Sequence, residues 1–248
     1  MAITGNYDKK GSPVPESASG QDGWFMSWRD IGLFLRSART DAAIQRLRAA
    51  GGDRHAFESV YSSDADPWAS GEPQYRYQRR KYDTLMSLLP AGPYAQALDL
   101  GCGLGLLSQR LAAGAGEVLG LDIADSAIAR ARAHWGHLPN LRFEQGSATA
   151  LDPGLNGRFD LVVIADTLYY LQPLDDARLA TLAAAIAGLL APGGLCVLAN
   201  HYFFAADPAS RLTRRIHRAF AATPGLQQTA EYRRPFFLTT LFRSPLVS

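Results

Sequence analysis

Cysteine is scarce in this chain, which contains only Cys102 and Cys196 among its 248 residues. Two isolated cysteines supply neither a four-ligand metal site nor a framework of disulfides. The cysteine content therefore predicts a protein without a bound metal, in a reducing, cytoplasmic compartment.

Excess charge and long apolar runs are also lacking. The formal net charge is +2, which is too small to argue for nucleic acid or an anionic membrane as a partner. No apolar run approaches the ~20 residues of a membrane span, and the first ten residues lack the apolar core of a signal peptide. We expect a soluble protein that is not exported and binds neither nucleic acid nor membrane.

Two familiar phosphate-binding motifs are missing from the main glycine-rich stretch. Residues 97–107 read Ala-Leu-Asp-Leu-Gly-Cys-Gly-Leu-Gly-Leu-Leu, an apolar strand pattern that breaks into glycines and resumes as a helix. A dinucleotide fingerprint requires glycine where Leu106 stands, and no Gly-Lys-Ser/Thr follows. Glycine at every second position nevertheless allows a tight turn and the close approach of a flat or anionic ligand to a helix N-terminus.

A carboxylate follows this loop at an informative distance. Residues 117–122 form a second strand pattern that ends in Asp122, about twenty residues past the glycines, where a nucleotide fold places its ribose-binding acid. We predict that Asp122 binds a ribose diol. The alternative is a helix cap for residues 126–135, a role that Asp125 or Ser126 can fill instead.

The pattern Asp99-x-Gly101-x-Gly103-x-Gly105 resembles the first motif of class I S-adenosylmethionine-dependent methyltransferases. Further upstream, Asp66-Pro67-Trp68, Tyr77-x-x-Arg80-Lys81 and Leu88-Leu89-Pro90 follow one another in an order that is similar to the nodulation-type (NodS-like) N-methyltransferases. The resemblance covers residues from about 57 to 200. It implies S-adenosyl-L-methionine as the cofactor and methyl transfer to nitrogen as the reaction.

The same resemblance implies a set of cofactor contacts. In that family the helix before the first strand folds over the cofactor, so Trp68, Tyr77 and Arg80 are expected to close on its methionine end, with Arg80 pairing the carboxylate. The alternative for Arg80 is a solvated helix face. Ser147 stands where an acid usually binds the adenine amino group, and a hydroxyl accepts that hydrogen bond less strongly. The other expected contacts are Asp99, Gly101, Cys102, Gly103, Gly105, Asp122, Ile123, Ala148 and Ala165.

Five alternating strand and helix patterns followed by a terminal hairpin predict an α/β fold. The resemblance implies that this is the Rossmann-like class I methyltransferase fold, a seven-stranded, mostly parallel sheet with an antiparallel C-terminal hairpin and an N-terminal helical cap. We expect a disordered tail at residues 1–23, the cap at 24–92 and the S-adenosylmethionine-binding domain at 93–248. Apolar residues recur at helical spacing between Trp24 and Leu47. Their stripe indicates packing, a lid or a dimer face, so a monomer and a homodimer both stay open.

Ligands of open α/β sheets bind at the carboxyl ends of the strands. The loop after the apolar strand pattern at 158–165 should therefore border the transferred methyl group. We predict Asp166 and His201 as candidate bases and Tyr169 as a pocket wall that contacts a cation through its ring. The alternatives are a loop cap for Asp166 and a backbone-bonded histidine for His201, and His217 is assigned a structural role.

Four arginines recur at helical spacing on the predicted helix 208–221, at positions 211, 214, 215 and 218. They form either a solvated basic face or a landing site for an acceptor that carries phosphate or carboxylate.

Three functions remain in competition. The first is methylation of a nitrogen on a small-molecule or sugar-derived acceptor, and the second is O-methylation of a hydroxylated metabolite, which would require a base such as His201. The third is a cofactor-binding partner subunit without chemistry, because a fold alone does not name a reaction.

Overall fold

The computed structural model describes residues 30–171, 173–203, 205–234 and 236–246. The tail expected at 1–23 and the start of the cap lie outside these residues. The helices and strands are α1 (Asp30–Ser63), α2 (Arg76–Leu88), β1 (Tyr94–Leu100), α3 (Leu106–Ala112), β2 (Ala115–Asp122), α4 (Asp125–Trp135), β3 (Leu141–Gln145), β4 (Phe159–Ala165), α5 (Asp176–Ala187), β5 (Leu190–His201), α6 (Pro208–Ala221), β6 (Gln227–Arg234) and β7 (Phe237–Arg243).

One seven-stranded sheet has the order β3-β2-β1-β4-β5-β7-β6. Strands β1 to β5 pair in parallel, whereas β7 runs antiparallel to both β5 and β6. The predicted seven-stranded, mostly parallel sheet with a terminal antiparallel hairpin is confirmed. Because the strand order reverses where β1 meets β4, a crevice opens between their carboxyl ends, where ligands of such sheets bind.

The core lies on both faces of this sheet. Consecutive side chains of a strand point to opposite faces, so Val162 packs into the cluster that contains Leu182 of α5 and Ile216 of α6. Its neighbour Val163 packs into the cluster on the other face, together with Ile128 of α4. The apolar runs of the central strands follow from this burial on two sides, and they hold the strand ends rigidly at the crevice.

The cap consists of α1 and α2, which precede the sheet. Helix α1 bends at Gly52 (φ 78°), where the double glycine marks a break in the helical pattern. The segment after the bend is docked on α4, with Ser126 N donating to Glu58 Oε2 at 3.1 Å. Of the predicted apolar stripe, Ile44 is buried, but Ile31 and Leu35 are about half exposed. The beginning of α1 therefore does not pack as its periodicity indicates.

Both edge strands of the sheet carry charge. Glu231 and Arg233 of β6 are exposed, and the register of β6 on β7 shifts between Gln228 and Ala230. At the opposite edge, Arg142 and Glu144 of β3 are exposed.

A buried histidine ties α6 to the sheet. His217 Nδ1 lies 2.7 Å from Thr240 Oγ1, and its Nε2 lies 3.0 Å from Asn200 Oδ1. Since the Asn200 oxygen only accepts, Nε2 carries the proton and Nδ1 accepts from the threonine hydroxyl. Burial lowers the pKa of His217 to about 3, in accord with the structural role predicted for it.

We expect this histidine to make the protein sensitive to acid. A group whose folded pKa is lowered stabilises the fold fully above its unfolded pKa, about 6.5, and loses that contribution as the pH falls towards 3. Between pH 7 and pH 5, the free energy of unfolding should fall by about 2 kcal/mol on account of His217. Urea unfolding measures the free energy of unfolding at both pH values. In His217→Gln this free energy should fall by about 2 kcal/mol less than in the wild type. In His134→Gln, which changes an exposed histidine, it should fall as much as in the wild type. Equal falls in all three proteins would contradict the assignment.

Candidate functional site

A cavity of about 710 Å³ opens at the carboxyl ends of the central strands. Its floor is the turn between β1 and α3, and its roof is formed by α1, α2 and the loop between them. The volume falls within the ~300–1,000 Å³ range of small-molecule sites. Of the sixteen side chains and glycines predicted for the site, all but Arg80, Asp99 and Gly105 line this cavity.

The glycine-rich turn lies directly under the cap. Gly103 has φ +51°, and a Cβ atom built on it would approach the hydroxyl of Tyr61 to 2.7 Å. Glycine is therefore required at this position both by the left-handed backbone and by the aromatic ring above it. The cap and the turn fit against each other at this point, which places the end of α1 over the end of the cavity that Gly103 and Asp122 line.

Asp122 ends β2 beside this turn. It is buried, and its carboxylate accepts from Gly103 N at 2.8 Å and from Ala124 N at 3.0 Å. Burial raises the pKa of this carboxyl group, against the effect of the two amide hydrogen bonds. The alternative role as a cap for α4 is filled instead by Glu58, which receives the Ser126 amide. Asp122 thus presents a carboxylate to the cavity, as a binding site for hydroxyl groups requires.

Ile123, which follows Asp122 directly, also lines the cavity, together with Ser147 and Ala148. The Ser147 hydroxyl lies 2.9 Å from Thr149 Oγ1 and also receives the Thr149 amide at 3.3 Å. Its hydrogen-bonding capacity is therefore shared with the neighbouring threonine. The position expected to meet an adenine amino group carries a hydroxyl that is already engaged.

Asp166 and Lys81 form an ion pair at the end of β4. Asp166 has a left-handed backbone (φ 52°), a conformation that costs energy for a non-glycine residue and that clusters at functional sites. Its carboxylate contacts Lys81 Nζ and accepts from His201 N at 3.0 Å. The Lys81 side chain is 2 % exposed, and its nitrogen lies 5.7 Å from the ring centre of Tyr77 and 5.5 Å from that of Tyr82.

Three expected contacts lie away from the cavity. Arg80 is on another face of α2, and its neighbour Lys81 occupies the inward position. Asp99 is buried behind the turn, where it accepts from Ser108 Oγ at 2.6 Å and where burial raises its pKa to about 7. Gly105 begins α3, and a Cβ there would meet the rings of Phe143 and Trp135. The expected cofactor contacts at these three positions are therefore corrected to structural or surface positions.

The other half of the cavity holds a carboxylate that the sequence patterns did not reveal. Asp41 of α1 accepts at the same oxygen, Oδ1, from Trp68 Nε1 at 2.8 Å and from Tyr170 Oη at 2.5 Å. Trp68, which the resemblance places at the methionine end, lines the cavity and donates its indole N–H to this carboxylate. No local motif marks Asp41, because only the tertiary packing of α1 brings it to the strand ends.

Further aromatic rings pack against Trp68 and Tyr170, the two donors to Asp41. Phe57 lies 6.1 Å from Trp68 and 5.4 Å from Tyr170, between ring centres. Tyr169 lies 4.4 Å from Tyr170 and equally close to the imidazole of His201. We call Phe57, Trp68, Tyr169 and Tyr170 the aromatic box. It forms a wall of the cavity next to Asp166 and His201.

The arginines of α6, at positions 211, 214, 215 and 218, do not line the cavity. Arg214 Nε donates to Tyr202 Oη at 2.7 Å, and Arg215 Nη2 donates to Asp176 Oδ1 at 2.8 Å. The cavity is lined on this side by Ala209 and Leu212. The four arginines are therefore not a landing site for a ligand in this cavity.

Comparison with known proteins agrees with this geometry. Residues 97–194, from β1 to the turn within the first part of β5, match the family model described as "Methyltransferase domain". This part of the chain is therefore similar to known methyltransferase domains. The turn at Gly103 with Asp122 at the end of β2 provides the backbone approach and the hydroxyl acceptor that a nucleoside such as that of S-adenosyl-L-methionine requires.

Several known proteins resemble a little more than half of this chain. Trans-aconitate 2-methyltransferase of Deinococcus radiodurans is 41% identical over 144 residues, which cover 56% of this chain and 47% of that protein. Nodulation protein S of Rhizobium tropici is 30% identical over 142 residues, 54% of this chain and 55% of the relative. The chain thus spans about half the length of these curated relatives.

The fold also resembles a solved structure. The N-methyltransferase NodS from Bradyrhizobium japonicum, in complex with S-adenosyl-L-homocysteine, matches with a TM-score of 0.63 and 21% identity, over 83% of this chain and 98% of that one. The likeness concerns the fold. Within the described ranges, no helix combines the length and apolar character needed to cross a bilayer, and no group of three His, Cys, Asp or Glu side chains is arranged to hold a metal.

Proposed function

We propose that this chain is an S-adenosylmethionine-dependent methyltransferase that acts on a nitrogen of a small-molecule or sugar-derived metabolite. The observation that carries the proposal is the continuity of the cavity. It joins Gly103 and Asp122, at the nucleotide end, to Asp166 and His201 at the strand ends. A cofactor and an acceptor can therefore meet inside one enclosed space.

The residues that would hold the cofactor are those of the first half of the cavity. Asp122 would accept the ribose hydroxyls, and the turn at Gly101 and Gly103 would let the ligand lie against the backbone. Lys81 takes the inward position on α2 that the resemblance gave to Arg80, and there its ammonium group already pairs with Asp166. When bound, the cofactor supplies an activated methyl group, which forms a bond to the acceptor's lone pair while the electron pair of the broken C–S bond stays on sulfur.

Positioning is the main contribution that this site offers. Holding two reactants at attack distance contributes ~7–11 kcal/mol, more than a general base usually adds. Asp166 is already bound by Lys81 and by the His201 amide, so it is poorly placed to take a proton from an acceptor. A nitrogen that arrives with a free lone pair needs no such base, and this favours N-methylation.

One observation favours the O-methyltransferase alternative. The imidazole of His201 lines the cavity and packs edge-on against the ring of Tyr169 at 4.4 Å. A histidine at this place could serve as the base for a hydroxyl acceptor.

The proposal is tested by incubating the purified chain with S-adenosylmethionine and a metabolite panel. Mass spectrometry should find S-adenosylhomocysteine together with an N-methylated product. A product methylated on oxygen would support the alternative. Binding of S-adenosylhomocysteine without product formation on any acceptor would support the non-enzymatic cofactor-binding subunit.

Two single variants separate nitrogen from oxygen as the acceptor. Under our proposal, His201→Ala should lower kcat by less than about tenfold, because no protein base is needed. Tyr169→Ala should lower it more, because it removes a wall that positions the acceptor. Initial rates against pH, on the acceptor found by the screen, measure both effects.

Matched controls accompany these variants. Tyr169→Phe keeps the ring and should stay close to wild type, as should His55→Ala, an exposed histidine of the cap. Loss of about 10²–10⁴-fold in His201→Ala, with rescue by added imidazole, would contradict transfer to nitrogen.

The wider organisation is proposed on the same grounds. We infer a cap at residues 24–92 and a methyltransferase domain at 93–248, because α1 and α2 roof the cavity and the sheet begins with β1. We also infer a cytoplasmic monomer or homodimer that binds no nucleic acid. The exposed Ile31 and Leu35 of α1 supply an apolar surface of the kind that a dimer contact uses.

A further inference from the structure

We propose that the acceptor is an amine that binds as its ammonium ion, held by the carboxylate of Asp41 within the aromatic box. This inference rests on the proposed methyltransferase function and names the class of its substrate. It is carried by the position of Asp41 in the cavity, by its hydrogen bonds and by the balance of charges around it.

The hydrogen bonds of Asp41 leave one of its oxygens for a ligand. Trp68 Nε1 and Tyr170 Oη both donate to Oδ1. Within the described part of the chain, no hydrogen bond is directed to Oδ2, and the residue lines the cavity. The two donors fix the orientation of the carboxylate, as a preformed recognition group requires. Both are neutral, so they leave its negative charge uncompensated.

The other carboxylates that line the cavity have hydrogen-bonding partners at both of their oxygens. Among the lining residues, Asp166 is paired with Lys81, and the carboxylate of Asp66 is bound by the amides of Ser70 and Gly71 at 2.9 and 2.8 Å. Asp122 lies at the nucleotide end. His201 also lines the acceptor side of the cavity. On the acceptor side, Asp41 is therefore the carboxylate that still has an oxygen available to a positively charged ligand.

Burial adds to the argument. It raises the pKa of Asp41, although the hydrogen bonds from Tyr170 and Trp68 act in the opposite direction. A partly desolvated carboxylate gains more from a cation than a solvated one does. For the same reason, an acceptor that carries carboxylate or phosphate would be repelled here, and the arginines of α6 lie outside the cavity.

The aromatic box suits both forms of an amine. Ring faces attract an ammonium ion, and the same apolar walls accommodate the neutral amine from which transfer proceeds. Before transfer, the ammonium ion loses its proton to water. Its lone pair then forms the new N–C bond, while the electron pair of the C–S bond remains on sulfur.

The test uses the full-length chain saturated with S-adenosylhomocysteine. Calorimetry compares sets of three ligands that share one apolar group and differ in the polar group attached to it, such as phenethylamine, 2-phenylethanol and 3-phenylpropanoate, which share a phenethyl group. We expect at least one amine of the panel to bind about tenfold more tightly than its matched alcohol and carboxylate. In Asp41→Asn this preference should shrink below about threefold, while the dissociation constant of S-adenosylhomocysteine is unchanged.

Two further variants keep the test decisive. Asp83→Asn, an exposed carboxylate of α2 outside the cavity, should retain the full preference. Phe57→Leu keeps Asp41 but removes a ring of the box, and it should weaken amine binding by about three- to tenfold with little effect on the alcohol. Phe57→Leu therefore reports on the site even if Asp41→Asn fails to fold, which circular dichroism detects.

The outcomes separate this inference from the proposed function. If S-adenosylhomocysteine does not bind, the methyltransferase function itself fails. If it binds but no amine of the panel binds, or an alcohol or carboxylate binds as tightly as its amine, the inference is overturned while the methyltransferase function stands. An undiminished preference in Asp41→Asn would also overturn it.

Discussion

Asp122→Ala is expected to weaken the binding of S-adenosylhomocysteine by about one to two orders of magnitude. The ribose hydroxyls would lose a buried acceptor, which costs ~1–3 kcal/mol. The amides of Gly103 and Ala124 would lose the same carboxylate, so the glycine-rich turn would also be held less firmly. Both effects act on the nucleotide end of the cavity and weaken the same dissociation constant.

Titration calorimetry measures this effect, with Asp125→Ala as the matched control. Asp125 stands three residues further along the chain, but its side chain is 59% exposed and pairs with Arg54 at the surface. We expect Asp125→Ala to bind S-adenosylhomocysteine as the wild type does. A wild-type affinity in Asp122→Ala would contradict the assignment of Asp122 as the ribose-binding residue. Tighter binding of NAD than of S-adenosylhomocysteine would contradict the choice of S-adenosylmethionine as the cofactor.

Lys81→Met is expected to lower the free energy of unfolding by about 2–4 kcal/mol. Removing one partner of a buried ion pair leaves the other charge uncompensated, which typically costs ~3–5 kcal/mol. The cost is smaller here because the Asp166 side chain is 23% exposed and faces the cavity. The methionine fills most of the volume of the lysine, so the effect reports charge and not a void.

The double variant Lys81→Met/Asp166→Asn makes this prediction specific. With both charges removed, the loss should be smaller than the sum of the two single losses, because neither charge is left without its partner. Arg54→Met breaks the exposed pair with Asp125 and should cost less than about 1 kcal/mol. Urea unfolding measures all four variants. Additive losses at Lys81 and Asp166 would show that the pair contributes nothing.

The fold and the placement of Asp122 beside the glycine-rich turn were predictable because their signals are local. The strand patterns that end at Leu100 and Asp122 are continuous apolar runs, and the glycines between them have a fixed spacing. Since parallel strands align their carboxyl ends, the order of these elements along the chain already places the turn beside the acid. These two positions therefore follow from the sequence without knowledge of the cap.

The family pattern did not reveal that Lys81, and not Arg80, faces the cavity. Adjacent residues of a helix point about 100° apart, so one position decides which side chain enters the cavity. The buried residues of α2 are Tyr77, Lys81, Leu85 and Leu88, which follow one helical stripe. A lysine on an otherwise apolar stripe is the signal that indicates the inward position of Lys81.

Asp41 offers no comparable signal. It belongs to the long helix α1, whose periodicity predicts a packing stripe that is buried at Ile44 but exposed at Ile31 and Leu35. Its role depends on where α1 crosses the strand ends, and that crossing is set by the bend at Gly52 and by the docking of the following turns on α4. Such long-range contacts leave no trace in spacing along the chain.

The charged edges of the sheet bear on how copies of this chain can associate. An edge strand exposes unpaired backbone groups that invite a strand from another molecule, and charged side chains or a bulge discourage that pairing. Strand β6 has both, with exposed Glu231 and Arg233 and a register shift after Gln228, and β3 carries Arg142 and Glu144 at the other edge. Extension of the sheet into a second copy is therefore the least favourable route to a dimer or a fibril, and self-association should bury helix surfaces instead.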